Sequence, residues 1–270
     1  MFANPIETEF ASGRFYDRMG TSFYLSDDKL KSDFAPVRFE REIRLFRGYC
    51  QSGSVLDVGC STGAFLFQLR TRYPESYSVT GTDVTSAAVD HAESLGIRVL
   101  RTSFLELDSH EPGWDAITFW AVMEHLAEPK QFIAKARELL NPSGLCFILV
   151  PNMRSLAVRL LGAKYRYIMP DHLNYFADIT LKRFAEEAGG FRVEKVASTH
   201  FNPLVIAQDF RKGTERVPDE ERARLLKKTT SWKQNPFLQP LKLLYRALER
   251  CLASLRLADN LVIVLRKLPE

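Results

Sequence analysis

The stretch Val55-Leu-Asp-Val-Gly-Cys-Ser-Thr-Gly-Ala-Phe-Leu66 decides the fold. An apolar strand runs into Gly59 and Gly63, and a helical pattern begins directly after them. Glycine lets a backbone approach a ligand closely, and the start of a helix offers free N–H groups to an anionic group. Asp57, before the loop, disfavours a pyrophosphate and favours a cationic group. The stretch therefore predicts a ligand-binding strand–loop–helix unit, with a simple strand–helix turn as the alternative.

Strands and helices alternate on both sides of this unit. Nearly all-apolar runs such as Gly144–Val150 are typical of strands that helices cover on both faces. The alternation predicts an α/β fold, with a Rossmann-like doubly wound seven-stranded sheet whose last strand is antiparallel. The predicted strands are Ser54–Val58, Tyr77–Thr82, Arg98–Arg101, Asp115–Ala121, Gly144–Val150, Phe191–Ala197 and Asn260–Leu265.

The pattern divides the chain into four parts. Residues 1–50 form a helical N-terminal lid, 51–200 the core, 201–258 a helical basic insertion and 259–270 the final strand of the core. The basic surplus lies in residues 211–250, where 11 Lys and Arg face 5 Asp and Glu, whereas the rest of the chain carries a net charge of −2. Nucleic-acid binding by the main domain is therefore not expected.

The composition agrees with one large α/β domain. Of 270 residues, 46% are hydrophobic and 26% charged, which excludes global disorder. There is no apolar run of the roughly 18–20 residues that a membrane span needs, and no signal peptide is visible. Scattered cysteines without a CxxC pair argue against a disulfide framework or a zinc ribbon, so a cytoplasmic location is predicted. The cysteines are Cys50, Cys60, Cys146 and Cys251.

A second acidic residue, Asp83, ends the second predicted strand, 26 residues after Asp57. A carboxylate at this position can accept both hydroxyls of a ribose, although such residues also cap helices. A dinucleotide fingerprint needs G-x-G-x-x-G, but Ser61 and Ala64 stand where its second and third glycines would be. An NAD-dependent oxidoreductase is therefore the weaker alternative.

The chain resembles class I S-adenosylmethionine-dependent methyltransferases in three segments, DVGCSTGAF (57–65), GTDVTSAAVDHA (81–92) and WDAITFWAVMEHLAEPKQFIAKARELLNPSGLCFILVPN (114–152). MPDHLNYFADITLKRFAEEAGGFRV (169–193) is similar to the bacterial branch that contains ubiquinone-type O-methyltransferases and related small-molecule methyltransferases. The resemblance implies methyl transfer from S-adenosyl-L-methionine to a small-molecule or lipid-linked acceptor, with oxygen as the expected acceptor atom. A catalytically silent cofactor-binding partner subunit is the alternative, and an open cleft that holds a base would exclude it.

The resemblance also implies where the cofactor binds. The glycine loop would hold its methionine part, Asp83 its ribose, and the end of the fourth strand its amino end. Ser61 replaces a frequent family glycine, and Ser103 lies where many relatives carry an aspartate. The implied cofactor-binding residues are Asp57, Gly59, Cys60, Gly63, Asp83, Val84, Ser103, Phe104, Trp120 and Ala121.

Two histidines are the catalytic candidates. His125 follows the fourth strand beside Glu124, and His172 lies in a loop after the fifth strand, on the acceptor side of such a fold. Either imidazole can take a hydroxyl proton, and for either the alternative is a structural role. No residue is assigned to a metal. Surface or packing positions are predicted for the other histidines, His91, His110 and His200.

The segment 211–257 ends in a basic amphipathic helix. Lys242, Arg246 and Arg250 lie opposite its apolar side. Such a helix can lie on an anionic membrane and present a lipid-linked acceptor. It can also pack its apolar face on the domain or on a twin subunit, which is the commoner arrangement, so peripheral membrane contact and a homodimer both stay open. The apolar positions are Leu241, Leu244, Leu248, Cys251, Leu252 and Leu255.

Overall fold

A computed structural model describes residues 23–108, 113–213 and 217–269. Its strands are, in chain order, β1 Gly53–Val58, β2 Tyr77–Thr82, β3 Arg98–Leu100, β4 Trp114–Trp120, β5 Leu140–Pro151, β6 Phe191–Thr199 and β7 Asn260–Lys267. Within the described ranges they form a seven-stranded sheet in the order β3-β2-β1-β4-β5-β7-β6. β7 runs antiparallel to β5 and β6, and the other neighbouring strands are parallel. The predicted sheet with an antiparallel last strand is confirmed.

Helices surround this sheet. The α-helices of the described residues are α1 Asp27–Asp33, α2 Glu40–Arg47, α3 Ala64–Arg72, α4 Ser86–Ser94, α5 Pro129–Leu139, α6 Leu156–Leu161, α7 Asp178–Ala188, α8 Pro203–Lys212, α9 Asp219–Gln234 and α10 Gln239–Ser254. A short 3₁₀ turn, Met123–His125, follows β4. None of the helices in the described ranges is both long and apolar enough to cross a membrane.

The hydrophobic core lies on both faces of the sheet because the side chains of a strand alternate between its faces. Val55 and Phe147 belong to a cluster that α2 and α3 cover, whereas Leu56 and Ile148 belong to a second cluster under α5 and α7. All four side chains are almost fully buried. Burial of each such side chain contributes roughly 1.5–3 kcal/mol to folding.

The register brings the ends of the central strands together. β1 lies between β2 and β4, and Asp57 pairs with Gly81 on one side and Thr118 on the other. The polar residues that follow these strands therefore meet at one edge of the sheet, where ligands of open α/β sheets bind.

Two helical parts pack on each other above this edge. The Ser32 hydroxyl of α1 lies 2.9 Å from the Thr230 hydroxyl of α9, and Lys227 of α9 forms an ion pair with Asp28 at 2.6 Å. The first 22 residues of the predicted lid lie outside the described residues. The described part of the lid contains the helices α1 and α2.

Most of the apolar face of α10 does not pack on the described residues of the domain, so a twin subunit and a membrane stay open as its partners. Leu252 is buried, but the positions that share its face are exposed: Leu241, Leu244, Leu248, Cys251 and Leu255. The helix instead turns Glu249 inward, where its carboxylate forms an ion pair with Arg41 of α2 and accepts the Phe201 N–H. These polar contacts orient the helix with its leucines facing outward.

Candidate functional site

A cavity of about 850 Å³ opens at the carboxyl ends of β1, β2 and β4. All the residues predicted for the cofactor or for catalysis line it, with the exception of Gly63. Side chains of α1, α9 and the segment before α8 complete the wall. One cavity is therefore lined both by the glycine loop and by the two candidate histidines.

The glycine loop is shaped by close backbone approaches. Gly59 has φ 69°, and a Cβ added there would lie 2.7 Å from Cγ2 of Val122. The N–H groups of Gly59 and Cys60 both donate to the carbonyl of Thr82, at 2.8 and 3.1 Å. Only glycine fits this position, and the loop is held directly on the end of β2.

Cys60 lines the cavity, but its thiol packs on β2. Its Sγ packs so close to Gly81 that a Cβ at Gly81 would overlap it. Burial raises the pKa of the Cys60 thiol well above its ordinary value, so the thiol stays protonated. A cofactor contact of Cys60 stays a prediction.

Gly63 has a structural position. It lies at the N-terminus of α3 with φ 74°, and a Cβ added there would lie 3.0 Å from Cβ of Ala92. Gly63 therefore serves the turn into α3 and its packing against α4, and its implied cofactor contact stays a prediction.

Asp57 is a buried acid at the floor of the cavity. Its Oδ1 accepts a hydrogen bond of 2.6 Å from the Thr118 hydroxyl, a partner that the sequence analysis did not identify. Burial, together with the nearby charge of Asp83, raises the pKa of Asp57 to about 7, although the bond from Thr118 opposes this shift. A cationic group in the cavity would therefore favour the ionised form of Asp57.

Asp83 connects two loops. Its Oδ2 accepts the Ser61 N–H at 2.7 Å, and its Oδ1 accepts the Thr85 N–H at 2.8 Å at the start of α4. Each carboxylate oxygen keeps a further lone pair for a ligand hydroxyl. Asp83 therefore caps the turn into α4 and also lines the cavity, so the ribose role implied for it stays a prediction.

Three of the residues that the resemblance implied for the cofactor, Val84, Ser103 and Phe104, line the cavity beyond Asp83 in the sequence. Val84 is 60% exposed at the cavity mouth, and Ser103 lines the same side. Phe104 is almost fully buried, because its ring stacks on Phe132 and meets Phe119 edge-on, at centroid distances of 5.6 and 5.5 Å. Phe104 thus shapes the wall mainly from the core.

Trp120, the last residue of β4, lines the cavity and carries an indole N–H group. Its ring meets Phe65 edge-on at 5.2 Å, and its buried Nε1 has no hydrogen-bond partner among the described residues. A buried donor without a partner costs roughly 1–3 kcal/mol. Ala121 follows with φ 60° and lines the cavity. The cavity therefore offers both carboxylate acceptors and an orphan donor, as a ligand with an amino-acid end requires.

The two candidate histidines are neighbours. The ring centroids of His125 and His172 lie 4.6 Å apart, with the rings nearly perpendicular. His125 Nδ1 lies 2.9 Å from the carbonyl of Asp171. Burial lowers the pKa of both histidines, and His125 adds to the effect at His172, so His172 is neutral at pH 7.

Glu124 faces the same two rings. It is 1% exposed, and its Oε2, like Nδ1 of His172, has no hydrogen-bond partner in the part of the chain that the structure describes. Burial raises the pKa of Glu124 to about 8, with a contribution from Asp171. One ligand atom each of Glu124, His125 and His172 lies within 4.8 Å of the other two. The sequence analysis assigned none of these residues to a metal.

His200 has a role that the sequence analysis missed. Its Nε2 lies 2.6 Å from Oε1 of Glu42, and both residues line the cavity. Burial opposes the ionisation of Glu42, but His200 and Arg38 outweigh it and lower the pKa of Glu42 to about 2. His91 packs on Phe34 at a centroid distance of 5.6 Å, as expected of a packing residue. The fifth histidine lies outside the described residues.

A comparison with protein families decides the identity. A family model described as a methyltransferase domain matches residues 32–196, which is more than half of the chain. The chain belongs to this methyltransferase family. It is therefore an S-adenosylmethionine-dependent methyltransferase, and S-adenosyl-L-methionine is its cofactor. The donor and acceptor groups of the cavity fit this cofactor.

Curated relatives of the chain include proteins named as ubiquinone biosynthesis O-methyltransferases. A ubiquinone biosynthesis O-methyltransferase of Alkalilimnicola ehrlichii is 28% identical over 208 residues, which are 72% of this chain and 80% of the relative. A protein of Coxiella burnetii with the same name is 28% identical over 163 residues, which are 56% of this chain and 68% of that one.

Solved structures share the fold. A S-adenosylmethionine-dependent methyltransferase of Thermotoga maritima aligns with a TM-score of 0.59 at 14% identity, and the alignment covers 94% of this chain and 98% of that one. The N-methyltransferase NodS of Bradyrhizobium japonicum, solved with S-adenosyl-L-homocysteine, gives 0.54 at 16% identity with the same coverage. Together, these findings leave no support for the NAD-dependent alternative.

Proposed function

We propose that this methyltransferase methylates an oxygen atom of a small hydroxylated acceptor. The observation that carries the proposal is that Asp57, Asp83 and the glycine loop line the same cavity as His125 and His172. A methyl donor on the loops and a hydroxyl at the histidines would thus share one space. The curated relatives at 28% identity, named as O-methyltransferases, support oxygen as the acceptor atom.

Different residues of the cavity would bind the cofactor and the acceptor. S-adenosylmethionine, when bound, supplies an electrophilic methyl group on a sulfonium. Asp83 accepts ribose hydroxyls, and Asp57 and Trp120 offer an acceptor and a donor to the amino-acid end. His172 and His125 receive the acceptor hydroxyl and take its proton. The cavity aligns the two partners and excludes water, which is the main contribution that a protein makes to an already activated displacement.

The acceptor atom is tested with a labelled methyl group. The purified chain is incubated with methyl-labelled S-adenosylmethionine and paired aromatic acceptors that carry either a hydroxyl or an amine at the same position. We expect labelled methyl ethers, identified by mass spectrometry, and little product from the amines. Methylated amines with no methyl ether would overturn the proposal.

We further propose that the acceptor is lipid-linked and that α10 contacts an anionic membrane surface. Its outward leucines have no covering element among the described residues. A groove of about 680 Å³ between α2 and α10 lies on the opposite side of this helix and carries a high density of cations. The basic residues that line it are Arg38, Arg41, Arg44, Lys233, Lys242, Arg246 and Arg250. An amphipathic helix with exposed leucines on one face and basic side chains on the other suits a surface with an apolar interior and negative headgroups.

Vesicle binding separates a membrane from a twin subunit. Sedimentation with phosphatidylcholine vesicles, with and without phosphatidylglycerol, should show binding only to the anionic vesicles. Added salt should weaken it, because it screens the basic groove. A stable dimer in solution that does not bind either vesicle would show that a second copy covers the leucines.

A further inference from the structure

Glu124, His125 and His172 form a cluster that internal hydrogen bonds do not explain. Two of its atoms, Oε2 of Glu124 and Nδ1 of His172, are buried and without a hydrogen-bond partner among the described residues. Both side chains are at least nine-tenths buried. A buried acceptor left without a partner costs roughly 1–3 kcal/mol, more for a charged group. Two such atoms facing a third polar side chain indicate a group that the protein chain itself does not supply.

The donor set is that of a metal site. The three ligand atoms lie within 4.8 Å of one another. In a tetrahedral zinc site, with bonds of about 2.0–2.1 Å, neighbouring ligand atoms lie about 3.3 Å apart, so small side-chain rotations close the set around an ion. Two imidazoles and one carboxylate are a common three-ligand set for catalytic metal ions, and they leave further coordination positions open.

The second ring nitrogens support the same conclusion. A ligating histidine nearly always donates its other ring N–H to a carbonyl, a carboxylate or water, which fixes the tautomer. His125 Nδ1 lies 2.9 Å from the carbonyl of Asp171. The His172 ring stacks on the Tyr167 ring at a centroid distance of 6.2 Å. The buried Nδ1 of His172 has no hydrogen-bond partner among the described residues. His125 is thus held through its Nδ1, and the Nδ1 of His172 is left to bind an ion.

We propose that Glu124, His125 and His172 bind one divalent transition-metal ion, such as Zn²⁺, at the acceptor end of the cavity. An open coordination position would take the acceptor hydroxyl. A hydroxyl bound to the ion releases its proton to solvent at a lower pH than in bulk water, and the oxygen that remains is the nucleophile. This role rests on the proposed O-methylation, whereas the binding of the ion does not. The two histidines then act as ligands, and neither has to accept the proton.

Metal binding is measured without cofactor and without acceptor. The full chain is treated with a chelator, dialysed and titrated with Zn²⁺ by calorimetry, and with Co²⁺ by visible absorption. We expect one equivalent of Zn²⁺ and d–d bands of a low-symmetry Co²⁺ site. The loss of a residue that only orients a ligand typically costs about 10–100-fold in metal affinity. His172→Ala should therefore weaken Zn²⁺ binding at least about a hundredfold.

Two further variants keep the test decisive. Glu124→Gln keeps the size of the side chain and should weaken Zn²⁺ binding. It replaces His172→Ala as the test if thermal melting shows that His172→Ala does not fold. His91→Ala removes a histidine outside the cluster and should bind Zn²⁺ as the wild type does. The absence of a stoichiometric site, or equal binding by wild type and Glu124→Gln, would overturn the proposal. Methyl ether formation by a chelated, metal-free enzyme at the full rate would also overturn it and would leave the proposed O-methylation standing.

Discussion

The backbone N–H of Ser61 donates to Oδ2 of Asp83 at 2.7 Å, so one carboxylate holds the glycine loop on the end of β2. The same carboxylate accepts the Thr85 N–H. Asp83 therefore orders the loop as well as facing the ligand. We predict that Asp83→Ala lowers the affinity for S-adenosylmethionine about ten- to a hundredfold, since bonds to a charged group contribute roughly 1.5–3 kcal/mol. Calorimetry gives the dissociation constant.

Asp90→Ala is the matched control. Asp90 lies on the exposed side of α4, where it pairs with Arg101. This variant should bind the cofactor as the wild type does. An unchanged dissociation constant for Asp83→Ala would restrict Asp83 to capping the turn into α4.

Asp57 should make cofactor binding pH-dependent. Burial first, and then Asp83, raises its pKa to about 7. A cationic ligand favours the carboxylate, so binding releases a proton wherever the free protein holds one. We predict that the affinity for S-adenosylmethionine rises between about pH 6 and 7.5, by at most about tenfold per pH unit. Asp57→Asn should lose this dependence on pH. Titration of the cofactor itself affects both proteins equally, so it does not cause a difference between them.

The same shift predicts an effect on stability. Because the pKa of Asp57 is higher in the folded than in the unfolded protein, ionisation destabilises the folded state. The ligand-free protein should lose stability as the pH rises from about 4 through 7. Asp57→Asn, which can still accept the Thr118 hydrogen bond, should gain up to a few kcal/mol over wild type at pH 8 and little at pH 4. Equal urea midpoints at pH 8 would contradict the raised pKa.

The cofactor loop was predictable because its determinants are local. The strand, the positive φ of Gly59 and the start of α3 all follow from residue types within Val55–Leu66. The position of Asp83 follows from the parallel register of β1 and β2, which the alternation of strands and helices already indicates. All but one of the residues predicted for the cofactor or for catalysis therefore line the cavity.

Contacts between distant parts of the chain were not predictable. His200 and Glu42 are 158 positions apart, and no local pattern around either indicates their bond. The leucine spacing in α10 showed which side chains share a face but not whether that face is buried. The inward contacts of Glu249 with Arg41 and the Phe201 backbone decide its orientation.

His172 should matter for turnover and not for cofactor affinity. It lies in the cavity next to His125, away from the glycine loop. We predict that His172→Ala lowers kcat for a hydroxylated acceptor at least about a hundredfold. The loss is expected if His172 takes the proton itself, since general-base help contributes typically about 10²–10⁴-fold, and equally if it holds the proposed ion. The dissociation constant of S-adenosylmethionine should stay within about twofold.

His172→Gln tests the chemistry further. Glutamine keeps much of the size and a hydrogen bond but has no imidazole nitrogen, so its activity should also be low. Near-normal turnover by the Gln variant would show that His172 only orients its loop. His91→Ala, on α4, serves as the control and should leave kcat unchanged.

The exposed leucines of α10 should drive membrane binding. Leu244 is 69% exposed and Leu248 47%, so replacing both by serine removes little buried surface and should not alter the free energy of unfolding by more than about 0.5 kcal/mol each. Full burial of a leucine side chain contributes roughly 1.5–3 kcal/mol. Even partial insertion should make the Leu244→Ser, Leu248→Ser double variant bind anionic vesicles at least about tenfold more weakly.

The matched control is Leu160→Ser on α6, a leucine that is 63% exposed but far along the chain from α10. It should bind vesicles as the wild type does. Arg246→Gln should instead reduce binding mainly at low salt, because Arg246 acts through the charge of the basic groove. If the double variant sediments with anionic vesicles as strongly as the wild type, the leucines do not enter the membrane. If it instead turns a wild-type dimer into a monomer, their partner is a second copy of the chain.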